Sequence, residues 1–299
     1  MKIMVPLNPN YSIPGLIQAG ADGFYFGYVS EDWLNTFGNG FFINRRGHKL
    51  DANFVDNNIQ TAIDCSHSFN VPMYCTFNNH QYTKNELELI YQSILFLCDK
   101  HIDGIIASDI NVLSFCNKIG IKSILSTCAT NYNHYACEFY KLFGVNRIIL
   151  PRDLTVEEMG AIIESVSGIE WEAFIYHSAC RFSESVCLSN HGQYGNICNR
   201  FRRLPQFAIK DSIQRRVKDC YYDSIKGYCG LCQLYKMNQL GVSWLKIVER
   251  TLPGEIIIKT CNKVKFAVEL CDKVDTEDAF IKEIQGRESC NKGEMCYYH

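Results

Sequence analysis

The stretch GVNRIILPRDLTVEEMGAIIESVSGIEWEAFIY, residues 144–176, holds one complete folding unit. A glycine leads into the apolar run VNRIILP. Asp153 and Thr155, both helix-starting residue types, then open the amphipathic segment TVEEMGAIIESVSG, and Gly168 leads into IEWEAFIY. Polar starters before a periodic segment and glycine behind it mark a helix between two strands.

The unit recurs along the chain. Strand-like runs stand at KIMVP, GADGFYFG, VPMYCTFN, HIDGIIAS, GIKSILST, GVNRIILP, GIEWEAFIY and GVSWLKIVE, eight in all. Between most of them lie amphipathic helices such as KNELELIYQSILFLCDK, which follows Thr83. Strand and helix alternating eight times predict an α/β fold, a (β/α)8 TIM-like barrel. The rival is an open doubly wound sheet; the absence of G-x-G-x-x-G after the first strand argues against it. The units are uneven. NTFGNGFFINRRGHKLDANF lengthens the second connection, and residues 177–243 form a Cys-rich insertion between the seventh and eighth strands. The predicted organisation is a single barrel over 1–273, insertion included, and a C-terminal tail over 274–299.

Composition limits the function classes. Hydrophobic residues make up 47% and charged residues 21% of the 299, and the net charge is −2, which describes a soluble globular chain with no global pull toward nucleic acid or membrane. MKIMVPLNPN is too short and too broken by proline for a signal peptide. No apolar run approaches the ~18 residues of a membrane span, so a cytoplasmic location is expected. There, sixteen cysteines are not a disulfide framework, because thiols are kept reduced. Cys75, Cys98 and Cys116 sit in apolar periodic context and read as core residues.

The cysteines from 180 to 232 lack such context. Strand seven ends at Tyr176, so Cys180 emerges at the carboxyl end of the barrel, where such folds place their chemistry. The helix around LCQLYKMNQL must run back down to strand eight at Trp244. Its start, with Cys229 and Cys232, therefore returns to the same end, where a helix N-terminus favours thiolate. Sulfurs brought together this way suit a metal. The spacing fits neither a zinc ribbon nor a ferredoxin run, and on spacing alone iron–sulfur and zinc stand level, with a metal-free site as the remaining alternative.

Several stretches resemble peptidase family U32, the collagenase-like family. VPLNPNYSIPGLIQAGADGFYFG is similar to the family's P-A-G-N opening, its A-G-A-D helix end and its Y-x-G strand. KSILSTCATNYNHYACEFYKLFGVNRIILPRDLTVEEM resembles the stretch in which S-T-Q-x-N-V precedes G-V-x-R-V-V-L-x-R-E-L-S. FIYHSACRFSESVCLS resembles F-V-H-G-x-x-C-x-x-x-x-G-x-C-x-x-S, CNRFRR is similar to C-R-W, and GVSWLKIVER to G-V-x-x-x-K-I-E-G-R. The resemblance covers most of the chain. It implies a [4Fe–4S] cluster held by Cys180, Cys187, Cys198 and Cys229, with Cys232 the alternative to the last; zinc is the alternative metal. It also implies oxygen-independent hydroxylation of a small molecule or an RNA base. Short members resemble a pair of ubiquinone-biosynthesis proteins, while longer ones hydroxylate RNA bases with prephenate implicated as oxygen donor. The partners implied are a small anionic oxygen donor and a paralogous U32 protein in a heterodimer. A non-catalytic, cluster-bearing subunit is the alternative function and a peptidase the third.

This chain departs from the pattern at four places. Tyr176 stands where the family often has histidine and His177 where it has glycine. The Cys187–Cys198 loop is short, and Val248 and Glu249 replace the E-G of K-I-E-G-R.

Other residues have two readings each. Asn131, at the S-T-Q-x-N position, either binds substrate or caps the next helix. Glu172 and Tyr176 share an alternating face with Glu170 and Phe174, and Glu172 either serves substrate or pairs with Lys246. His177 with Cys180 could build a Cys–His peptidase, but among sixteen cysteines and eight histidines such pairs arise easily. Arg200 heads a basic run, through Arg202, Arg203, Lys210, Arg215, Arg216 and Lys218, that is either a solvated loop or an anion site. Few aromatics interleave with it, which weakens a case for RNA. Cys290, Cys296 and His299 offer a second metal site or belong to a frayed or partner-binding end.

Overall fold

A computed structural model describes residues 1–38, 42–47, 49–177, 185, 228–287 and 296–298. All eight expected strands form and pair in parallel: β1 (Lys2–Pro6), β2 (Gly23–Tyr28), β4 (Met73–Phe77), β5 (Gly104–Ala107), β6 (Ser123–Leu125), β7 (Val145–Ile149), β8 (Glu170–Tyr176) and β9 (Trp244–Ile247). The sheet closes because Met4 of β1 is in register with Gly23 of β2 on one side and Lys246 of β9 on the other. The fold is therefore the TIM-like (β/α)8 barrel. One strand escaped the sequence pattern. The two-residue β3 (Asn53–Phe54) pairs with the carboxyl end of β2 and folds part of the long second connection over the mouth.

Local chemistry explains the helix ends. Thr155 caps α7 (Val156–Ser165) by accepting from the Glu158 amide, and the Glu158 carboxylate accepts from Thr155 N–H in return; Thr83 and Glu86 repeat this at α4 (Lys84–Asp99). Gly144 and Gly241, with φ of 75° and 89°, take the left-handed turns into β7 and β9. Of the cysteines read as core, Cys75 and Cys116 are fully buried, and Cys98 is half-buried against the core. Burial pushes the Cys116 thiol up to about 12, as it does for Cys137 and Cys261, so these thiols are inert at neutral pH.

Of the end expected to be frayed or partner-binding only residues 296–298 are described, and the segment before it is helical. A helix at Glu277–Arg287 buries Phe280 and Ile284, four residues apart on one face, with the Phe280 ring 5.7 Å from that of Tyr235. Residues 296–298 return to the barrel, where Tyr297 and Tyr298 are buried. Among the described residues no helix is long and apolar enough to cross a membrane.

Candidate active site at the barrel mouth

The barrel interior carries a charged layer where branched apolar side chains are usual. Glu172 on β8 is fully buried. Its Oε1 lies 2.7 Å from Lys246 Nζ on β9 and its Oε2 lies 3.1 Å from Arg147 Nη1 on β7. Arg147 also reaches Glu170 at 3.2 Å and is flanked by the Trp244 ring at 3.9 Å and the Tyr74 ring at 5.1 Å. Glu170, at the exposed end of the layer, is shared with Lys122 at 2.8 Å, while Glu172 is the buried carboxylate between Arg147 and Lys246, the pairing that buried ions require. Lys246 also sits 4.0 Å from the Tyr25 ring centre, and burial lowers its pKa. Both Glu172 oxygens are thus occupied by protein cations, an arrangement that holds Lys246 and Arg147 in place.

Above this layer, at the carboxyl ends of the strands, stands a second polar group. Arg250, just past β9, is 4% exposed. Its Nη2 donates to Asn44 Oδ1 at 2.9 Å and its Nη1 to Asn53 Oδ1 at 3.4 Å. The Arg250 carbonyl accepts from Asn8 Nδ2 at 2.6 Å and from the Tyr11 hydroxyl at 3.1 Å. Gly27 clears the space: a Cβ there would stand 1.9 Å from Asn53 Oδ1 and 2.0 Å from Arg250 Nη1. Desolvation lowers the Arg250 pKa to about 10, which leaves it charged at neutral pH. Nearby, Arg46 pairs with Glu249 at 3.2 Å. The Arg250 guanidinium itself donates to two neutral amide oxygens, and the Glu249 carboxylate, paired to Arg46, acts favourably on its charge. Sequence reading passed over Arg250 although it ends the quoted GVSWLKIVER; the signal was its match to the terminal arginine of the family's motif.

The sequence-predicted residues separate. Cys180, Cys187, Cys198 and Arg200 lie outside the described residues, as do Cys290 and His299. Cys229 is where chain topology put it: it forms an antiparallel bridge with Tyr176 at the end of β8. Cys232 lies in the 3₁₀ turn Leu231–Gln233, which leads into α8 (Leu234–Gln239). Cys229 Sγ accepts from the Leu231 amide at 3.5 Å. Among the described residues no three His, Cys, Asp or Glu side chains gather closely enough to hold a metal. Cys229 fits a thiolate centre in type and place, and completing one requires the cysteines outside those residues.

Asn131 is fully buried and donates from Nδ2 to the Ile149 carbonyl at 2.9 Å; its Oδ1 has no hydrogen-bond partner among the described residues. It does not cap the next helix, α6 (His134–Lys141), whose cap is Asn133, accepting from the Ala136 amide. His177 turns away from the mouth. Its φ of 68° points the ring at α9 (Gly254–Cys271), where Nε2 is 2.7 Å from Thr260 Oγ1. That hydroxyl donates to the Ile256 carbonyl, so it accepts from His177, which is neutral and protonated at Nε2. Desolvation lowers the His177 pKa to about 4. A bulge between Phe174, the partner of Lys246, and Tyr176 breaks the alternation of β8, so Tyr176 pairs with Ile247, the residue next to Lys246, and leaves the inward set.

The model of peptidase family U32 matches residues 12–296. The chain belongs to peptidase family U32. A Porphyromonas gingivalis collagenase is 25% identical over 93% of this U32 chain and 68% of its own length. The tRNA hydroxylation protein P2 of Bacillus subtilis is 22% identical over 93% of this chain and 88% of its own. A solved structure described as native KDPGal superposes with a TM-score of 0.51 at 8% identity, covering 91% of this chain and 95% of that one, which is a likeness of fold. The U32 pattern also explains two odd backbone positions. His177 and Glu249 stand where the family carries glycine, and both keep the left-handed backbone, at φ of 68° and 79°.

Proposed function

We propose that this U32 protein is an iron–sulfur enzyme supporting oxygen-independent hydroxylation of a small molecule or an RNA base, with a small carboxylated anion as oxygen donor bound at the barrel mouth. The observation that carries the donor assignment is Arg250. A buried guanidinium whose hydrogen bonds go to neutral amide oxygens is unfavourable, and a ligand carboxylate completes it with two parallel hydrogen bonds. Asn131 Oδ1, buried and without a hydrogen-bond partner among the described residues, supplies at the same end of the barrel an acceptor for a donor hydroxyl. The relatives named as tRNA hydroxylation proteins support the reaction class. The resemblance assigns the cluster to Cys180, Cys187, Cys198 and Cys229 or Cys232; such a cluster supplies electron transfer or binding of the donor. The residues described here hold the donor's charge, orient it and keep Arg250 dry.

A peptidase built on Cys180 and His177 is disfavoured, because His177 is buried against Thr260 and stays neutral. Calorimetric titration of prephenate, a carboxylated probe, into anaerobically purified protein tests the reading. Binding should weaken at least about tenfold in Arg250→Gln, the loss expected for one charge-assisted contact of 1.5–3 kcal/mol. Unchanged affinity in that variant would refute the donor site.

A further inference from the structure

Glu249 places a carboxylate beside two arginines of the barrel mouth, Arg46 and Arg250. It follows β9 with φ of 79°, a left-handed backbone natural to the glycine of the family pattern and sterically costly for a residue with a Cβ. Both carboxylate oxygens are held by the protein. Oε2 accepts from Arg46 Nη2 at 3.2 Å, and Oε1 accepts from the Thr251 hydroxyl at 2.5 Å. The two arginines are joined through one acceptor, because Asn44 Oδ1 receives Arg250 Nη2 and the Arg46 backbone N–H, each at 2.9 Å. Asn53 completes the frame: its Oδ1 accepts from Arg250 Nη1 at 3.4 Å and its Nδ2 donates to the Arg46 carbonyl at 3.0 Å. The charges feel one another. Glu249 and Arg46 act on Arg250 with opposite signs, and the buried Tyr25 phenol lies in reach of all three.

These contacts give the two arginines different roles. The Arg250 guanidinium makes its hydrogen bonds to neutral amides, whereas Arg46 Nη2 makes its own to a carboxylate of the protein. A ligand carboxylate at Arg46 has to displace Glu249, exchanging one charge-assisted contact for another of the same kind. From this geometry we infer that Glu249 is a specificity-determining residue, an internal carboxylate that occupies Arg46 and tunes the mouth to an oxygen donor recognised through a single carboxylate. The inference rests on the donor-site reading above and adds to it the ionic class of the donor. Glycine at 249 would leave Arg46 to a second ligand carboxylate. The Arg46 side chain keeps 26% of its surface exposed, so a ligand reaches it.

Two probes separate the classes: prephenate, with two carboxylates, and phenylpyruvate, which carries the same pyruvyl group and no second carboxylate. Calorimetric titration of each into the full chain, purified anaerobically as wild type and as variants, tests the inference. Wild type should bind the two probes within about threefold of each other. Glu249→Gln and Glu249→Gly should each gain at least about tenfold for prephenate, the effect of one charge-assisted contact, and less than about threefold for phenylpyruvate. Glycine suits the backbone at 249, so agreement between the two variants separates the loss of the carboxylate from a folding defect. Adding Arg46→Gln to Glu249→Gln should cancel the prephenate gain. A ratio of the two affinities unchanged by both Glu249 variants, with Arg250→Gln impaired for both probes, would overturn the inference and leave the donor site standing. A wild type that already prefers prephenate by about tenfold, or a gain that survives the loss of Arg46, would overturn it as well. Failure of wild type to bind either probe would overturn both readings.

Discussion

Arg250 and Gly27 act as one feature, because the guanidinium occupies the volume that a side chain at 27 would fill. Gly27→Ala should therefore displace Arg250 and weaken binding of a carboxylated probe about as much as Arg250→Gln does. Titration of the two variants side by side checks this, and a Gly27→Ala protein that binds as wild type contradicts it. His177 gives a pH signature. Its pKa is lowered to about 4 from an ordinary 6.5, so below pH 6.5 the unfolded chain takes up a proton that the folded chain refuses. Stability should fall as pH drops from 6.5 toward 4, with a slope of up to ~1.4 kcal/mol per pH unit from this residue. Asparagine tolerates the left-handed backbone and does not titrate, so urea melts of His177→Asn should show a shallower acid slope than wild type. Equal slopes would mean the imidazole is not held neutral. Both residues show how legibility failed at this scale. A histidine near cysteines suggests catalysis, and only the positive φ, where the family has glycine, reveals that the ring leaves the mouth.

At the scale of elements, β7, β8 and β9 are tied through the barrel by Arg147, Glu172 and Lys246. Glu172→Gln removes the carboxylate that both cations face and leaves them buried beside a neutral amide. The variant should lose about 3–5 kcal/mol in denaturant unfolding, whereas an exposed surface glutamate such as Glu138 should cost under about 1 kcal/mol when changed to Gln. Equal costs would show that the interior layer contributes no more than a surface pair. The sequence made the Glu172–Lys246 partnership visible, since strand alternation put both in the barrel. It did not expose Arg147, which sits inside an apolar run, or the bulge that takes Tyr176 out of the pattern. Bulges and ion pairs depend on what lies opposite, and that is absent from a single strand's periodicity. Helix starts were legible for the opposite reason: Thr155 and Glu158 satisfy each other within four residues.

For the whole molecule, eight repeated units specified closure, and the closed barrel brings Cys229 back to the end of β8 as topology required. What periodicity concealed were the parts that cover the mouth: β3, which carries Asn53, and the chain end at 296–298, whose two tyrosines are buried by contacts with residues more than sixty positions away. Such long-range contacts leave no local mark. The proposed chemistry depends on thiols converging at this mouth to hold a cluster. Metal and sulfide analysis of anaerobically purified full-length protein tests that most directly. The account predicts a brown protein with broad absorbance near 400 nm, about four irons and about four sulfides per chain. A colourless protein with stoichiometric zinc, or with no metal, would contradict it.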